Sequence, residues 1–132
     1  MSLPPIQSQI TFLYYDDLDL AAAFYGELLG LELILDHDMG GIYRAAGHAF
    51  IGIVDGAKGY HPVRNENSVV ISLTVDEVDS WHERLAAAGV KILIEPQEHE
   101  IAPVRSFFFE DPGGYTLEFQ EFTRPEDKAL LG

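Results

Sequence analysis

The side chain best placed for chemistry is Glu118, inside the strand-like run Tyr115 to Phe122. Alternation along a strand puts Thr116, Glu118 and Gln120 on one face. A carboxylate there can serve as a general base or acid, or can simply be neutralised by an arginine, with Arg105 the nearby candidate. Both uses are open at this level. Five histidines are the other candidates. His82 falls on a polar helix face, and His61 and His99 lie in polar, loop-like stretches where exposure is expected. His37 and His48 flank short strands and form a site only if a hairpin brings them together, which no spacing forces. There is no cysteine, so disulfides, thiolate metal sites and cysteine nucleophiles are excluded. No Ser-His-Asp or lysine-nucleophile constellation stands out. Asp111-Pro112-Gly113-Gly114 reads as a turn, because a phosphate loop would need a different spacing and a helix after it.

The elements that must position these residues repeat. Ile10 to Tyr15 reads as a strand, followed by a helix from Leu18 to about Leu29, capped by Asp16 or Asp17 and stopped by Gly30. Leu18, Ala21, Ala22, Tyr25, Leu28 and Leu29 recur at helical spacing and face a sheet. Strand-like runs follow at Leu31–Leu35, Gly41–Ala46 and Ala49–Val54. In the second half Val70 to Val75 is a strand, and Asp76 is expected to cap a helix carrying Val78, Trp81 and Leu85 on one face. Gly89 stops it, and strands are expected at Val90–Ile94, Val104–Phe109 and Tyr115–Phe122. Trp81 is expected in the core, and Phe107-Phe108-Phe109 faces both sides of a sheet. Ile10 with Val70, Asp16 with Asp76 and Asp19 with Asp79 match at an offset of about 60, the mark of a duplicated unit. Each copy reads β-α-β-β-β, one over about residues 8–58 and the other over about 68–122, within a single domain. Asp55 to Asn67 is the expected joint, and the tail from Thr123 to Gly132 is expected to fray, with docking on a partner subunit as the alternative.

The chain has 22 acidic against 8 basic residues, a net charge of −14. Such a surface repels phosphate backbones, so nucleic acid is not an expected partner, whereas cationic small molecules would be attracted. No apolar run approaches the roughly 18 residues that span a bilayer, and Met1 to Pro5 lacks the pattern of a signal peptide. A cytoplasmic location without membrane contact is expected.

Three runs in order resemble the vicinal-oxygen-chelate superfamily (glyoxalase, bleomycin-resistance protein, extradiol dioxygenase). They are Asp16-Asp17-Leu18-Asp19 through Phe24-Tyr25 to Leu29-Gly30-Leu31-Glu32-Leu33, then Val75-Asp76-Glu77-Val78-Asp79 through Ala88-Gly89-Val90, then Arg105, Phe107 and Phe109 through Asp111-Pro112-Gly113-Gly114-Tyr115 to Leu117-Glu118. The resemblance covers roughly residues 8 to 122. It implies an α+β fold of two tandem βαβββ modules, whose curved mixed sheets surround a cleft. It also implies a divalent metal held by the first and last strands of each module, acting as a Lewis acid.

Carried onto this chain, the four ligand positions fall on Ile10, Ile51, Val70 and Glu118, with Ile51 placed by aligning Gly47 with Gly114. Aliphatic side chains offer a metal no lone pair, and one carboxylate does not hold a divalent ion in water. No metal or other cofactor is therefore expected, with a divalent metal as the alternative. What the cleft would offer instead is Ile10, Phe12 and Tyr14, then Val70, Ser72 and Thr74, then Thr116, Glu118 and Gln120, an apolar and aromatic lining with a few hydroxyls and one carboxylate. The expected function is binding or sequestration of an organic ligand, cationic and aromatic, through Phe12, Tyr14, Ser72, Thr74, Arg105, Glu118 and Gln120. The alternatives are a lyase, isomerase or dioxygenase with Glu118 as the catalytic residue, and an interaction module. A homodimer is expected, as related proteins commonly pair modules and two-fold pairing is the commonest closed arrangement.

Overall fold

The computed structural model describes residues 3–64, 66–99 and 101–132. Residues 1–65 and 66–132 form two compact units. Each is a βαβββ module, so the class is α+β with two four-stranded mixed sheets.

In the first unit, β1 (Gln9–Tyr15), β2 (Glu32–His37), β3 (Gly40–Ala46) and β4 (Ala49–Asp55) are ordered β1-β4-β3-β2. β1 runs parallel to β4, and the β2-β3 and β3-β4 pairs are antiparallel hairpin neighbours. A parallel pair needs a crossover, and the helix after β1 opens that connection. Asp17 caps it, its Oδ1 accepting from Leu20 N at 3.1 Å, which satisfies one of the free amides of the first turn. The helix begins as α1 (Leu18–Ala22) and widens into a π-helical stretch, Ala23–Leu28, where Leu29 N donates to Phe24 O at 2.9 Å. Such widened turns are rare and occur as short insertions within α-helices. Gly30 ends the helix with a positive φ, in the left-handed region that favours glycine.

The widened stretch buries Phe24 and Tyr25 against the sheet, where the Tyr15 hydroxyl lies 3.2 Å from that of Tyr25. Leu13, Tyr15, Tyr43, Ile51 and Ile53 complete this core. Each large side chain removed from water contributes roughly 1.5–3 kcal/mol. Burial, and secondarily Asp36, raises the Tyr43 phenol above its ordinary pKa.

In the second unit, β5 (Val70–Thr74), β6 (Ile92–Glu98), β7 (Val104–Glu110) and β8 (Thr116–Phe122) repeat the order as β5-β8-β7-β6. α2 (Val78–Ala87) covers one face, with Val78 and Leu85 buried and Trp81 stacked on Phe119 at 4.7 Å. Phe107 and Phe109 are fully buried there, and Phe108 points the other way, half-buried. β6 runs on to Glu98, beyond the expected end at Ile94, and two further details depart from expectation. Glu77 rather than Asp76 occupies the N-cap of α2 and makes no side-chain capping bond. The tail does not fray but forms a helix, α3 (Pro125–Leu131). Proline suits the first turn of a helix, where its missing N–H goes unused, and Arg124 Nε donates to Asp127 Oδ2 at 2.8 Å. Among the described residues no helix is long and apolar enough to cross a membrane.

Candidate functional site

Strand alternation sorts each sheet into a helix-packed face and an opposite face, and the ladders fix which residues share them. In the second unit, Val70 stands level with Thr116, Ser72 with Glu118 and Thr74 with Gln120. Phe108 of β7 is level with Glu118, and Ile94 of β6 with Phe108. These groups lie on the face opposite α2. At its centre Ser72 Oγ donates to Glu118 Oε1 at 2.8 Å. This bond fixes one oxygen of the Glu118 carboxylate. Beside Gln120, Ser106 is fully buried, its Oγ 2.8 Å from His99 Nε2. The end of α3 reaches Thr74, since a Cβ at Gly132 would lie 4.0 Å from Thr74 Cγ2.

Arg105 does not belong to this face. It lies on the α2 side, where its Nε and a terminal nitrogen donate to the two oxygens of Asp79 at 3.0 and 2.9 Å. That fork-to-fork bond holds the Asp79 carboxyl below the ordinary carboxylate range and raises the Arg105 guanidinium. Residues 105 and 118 differ by an odd step in an antiparallel register that pairs Arg105 with Glu121, so their side chains point to opposite faces. The arginine partner contemplated for Glu118 is replaced by Ser72.

In the first unit the corresponding face holds Ile10, Phe12 and Tyr14 of β1, level with Phe50, Gly52 and Val54 of β4. Ile42 and Arg44 of β3 continue it. The Arg44 guanidinium lies 5.1 Å over the Phe50 ring, within the range of a cation–π contact. Its Nε is 3.3 Å from Glu32 Oε1, and it also donates to Gly47 O. The ladders correct one correspondence. Phe12 matches Ser72, so the counterpart of Glu118 is Gly52, not Ile51. Ile51 is 2% exposed and sits in the helix-packed core.

A metal in the family's manner does not fit these residues. Ile10 and Val70 supply no lone pair, Gly52 has no side chain, and Glu118 is already held by a serine. Among the described residues no three His, Cys, Asp or Glu side chains are grouped to hold an ion. His37 and His48 lie beyond opposite ends of β3, so the length of that strand keeps them separate. His37 Nδ1 accepts from Met39 N, and His48 Nδ1 faces Gln7 O, each at 3.2 Å. His82 is less exposed than its helix position suggested. Its ring meets the edge of Phe107, and Nε2 lies 2.7 Å from Glu95 Oε2, an ion-pair distance without the direction of a hydrogen bond. His99, expected in solvent, is half-buried on Ser106, while His61 is exposed as expected.

Sequence reasoning missed Phe108, Phe50 and Gly52. The glycine alone carried a signal, because glycine inside a strand marks a close approach of another group.

Two tandem βαβββ modules, each with a four-stranded mixed sheet, define the class of α+β protein to which the chain belongs. Residues 7–119 match the Glyoxalase/Bleomycin resistance protein/Dioxygenase superfamily, and the chain belongs to it. Among solved structures it is similar to lactoylglutathione lyase from Agrobacterium tumefaciens, 25% identical over 89% of this chain and 95% of that one, with a TM-score of 0.71. The fosfomycin resistance protein FosX of Listeria monocytogenes is 19% identical over 96% and 99%, with a TM-score of 0.73. TioX from Micromonospora sp. ML1 is 20% identical over 87% and 98%, with a TM-score of 0.72. The last two likenesses are of fold alone. No curated protein matches the chain.

Proposed function

We propose that this chain is a small-molecule-binding member of the superfamily that holds an organic, cationic aromatic ligand without a metal. The observation that carries this reading is the Ser72–Glu118 pair on the face of the second unit opposite α2, beside Phe108 and the exposed Val70. A carboxylate with one oxygen fixed by a serine and apolar neighbours on either side is an anchor for a cation that also carries apolar surface. Thr74 and Gln120 extend the same face and offer polar contacts. The net charge of −14 draws a cation in before contact. Phe12 and Tyr14 line the corresponding face of the first unit and are proposed there, by themselves, as aromatic contacts for such a ligand. Function as a homodimer is part of the proposal, in keeping with the symmetry preference of soluble chains.

The test compares N-methylacridinium with acridine, in buffer alkaline enough to keep acridine neutral. The cation should raise the melting temperature in a saturable manner, because a ligand that prefers the native state stabilises it, and neutral acridine should do so much less. Equal stabilisation by both, or by neither, would count against the reading. A lyase, isomerase or dioxygenase that uses Glu118 as general base would reveal itself by product formation, which binding alone does not give.

A further inference from the structure

We propose that Phe12 and Gly52 together form a stacking platform on the first unit that takes a planar ring of the ligand. The inference rests on the reading that the chain binds a small organic molecule, and it names the part of the molecule this unit recognises.

Phe12 lies in the middle of β1, on the face opposite the helix, and is 47% exposed. A large apolar ring left half in water within a regular strand is costly unless something covers it. Beneath the ring, the sheet has been cut away. Gly52 is level with Phe12 on β4, and a Cβ there would collide with the ring, 2.5 Å from its Cε1 carbon. The ring therefore rests on the glycine backbone, supported on one side and open on the other. In the second unit the same two positions carry Ser72 and Glu118, a polar pair. The duplicated frame has thus been put to two uses, a carboxylate anchor in one copy and an aromatic surface in the other.

A second glycine extends the platform. A Cβ at Gly59 would lie 2.6 Å from Tyr14 Cε1, so this loop residue leaves room for the next ring along β1. His61 meets Tyr14 edge-on at 5.8 Å, and Tyr60 meets His61 edge-on at 4.8 Å. Phe12, Tyr14, His61 and Tyr60 form a succession of ring systems rather than a general apolar patch. An exposed aromatic face is electron-rich, which favours a flat partner, and a positively charged one most. Asp16, Asp17 and Asp55 lie at the Tyr14 end of the two strands and complement that charge.

The experiment titrates N-methylacridinium, followed by fluorescence anisotropy, into the full chain and into Phe12→Leu, Phe12→Trp, Gly52→Ala and Phe12→Leu/Gly52→Ala variants. Tetramethylammonium, a cation without a ring, is titrated in parallel by calorimetry. Phe12→Leu keeps apolar volume and removes the ring, and it should weaken acridinium binding about tenfold, about 1.4 kcal/mol. Gly52→Ala should weaken it comparably by lifting the ring, yet add little in the Phe12→Leu background, because the two positions act as one unit. Phe12→Trp should bind more tightly, and this arm holds if Gly52→Ala fails to fold. Tetramethylammonium, which has no flat face to stack, should lose much less affinity than acridinium on any Phe12 change. Unchanged acridinium affinity in Phe12→Leu, or full additivity of the two substitutions, overturns the platform. Binding of tetramethylammonium by the wild type, with no acridinium binding, overturns the platform but leaves the binding reading intact. Binding of neither overturns both.

Discussion

Replacing Glu118 by glutamine keeps the shape of the side chain and removes its charge. Two unit charges roughly 4 Å apart attract by about 1 kcal/mol in bulk water and about 4 kcal/mol at the effective dielectric of a protein surface. Glu118 is half-buried. Its attraction for a bound cation therefore falls between these limits, at roughly 1.5–2 kcal/mol, or about ten- to thirtyfold in affinity. The fold should tolerate the change. Ser72 Oγ, which now donates to the carboxylate, can still donate to the amide oxygen. Trading a charged for a neutral acceptor costs about 1 kcal/mol or less. The assay is a thermal-shift series with N-methylacridinium and neutral acridine on wild type and Glu118→Gln. The cation's shift should shrink in the variant while any shift by acridine stays the same, and added salt should narrow the difference. Equal cation shifts in both proteins would leave Glu118 without a role in binding.

Other consequences are equally accessible. Purified chain should carry well under one equivalent of zinc, nickel, iron or manganese by elemental analysis, because Ile10, Val70 and Gly52 offer no donor; one tightly held ion lost on Glu118→Ala would contradict this. Sedimentation should give about twice the mass of a single chain, and a monomer across the micromolar range would count against a dimer. Asp79→Asn should lower stability by about 0.5–1 kcal/mol at neutral pH, as an exposed but bidentate pair is worth. Because the folded carboxyl titrates below its unfolded value, that stabilisation is complete above about pH 4 and disappears as pH falls through the folded pKa, so urea melts of the two proteins should converge in acid.

The repeated frame was legible because its signals are local. Alternation drew the strands, and Gly30 and Gly89, both at positive φ, ended the helices where the sequence put their stops. What could not be read depended on packing or on register. The helix widens at Ala23–Leu28 as Phe24 and Tyr25 bury themselves, and helical periodicity does not distinguish that turn from an α-helical one. Matching Gly47 with Gly114 placed Ile51 opposite Glu118, and a slip of one residue moves a side chain to the other face of a sheet. The bulge between Arg44 and Ala46, just before that turn, shifts the pairing locally in a way no glycine spacing announces. Whether Arg105 shares the face of Glu118 stayed open for the same reason, since the β7-β8 register had to be known first. Phe12, Tyr14, Ser72, Thr74, Glu118 and Gln120 needed only the period of two along their own strands.

Whether the chain binds its ligand without a metal is decided by calorimetric titration of N-methylacridinium into protein dialysed against EDTA, then into the same protein with one equivalent of zinc restored. The same saturable heat and the same affinity are expected in both, with Glu118→Gln weaker in both. Binding that disappears after EDTA and returns with zinc would contradict it.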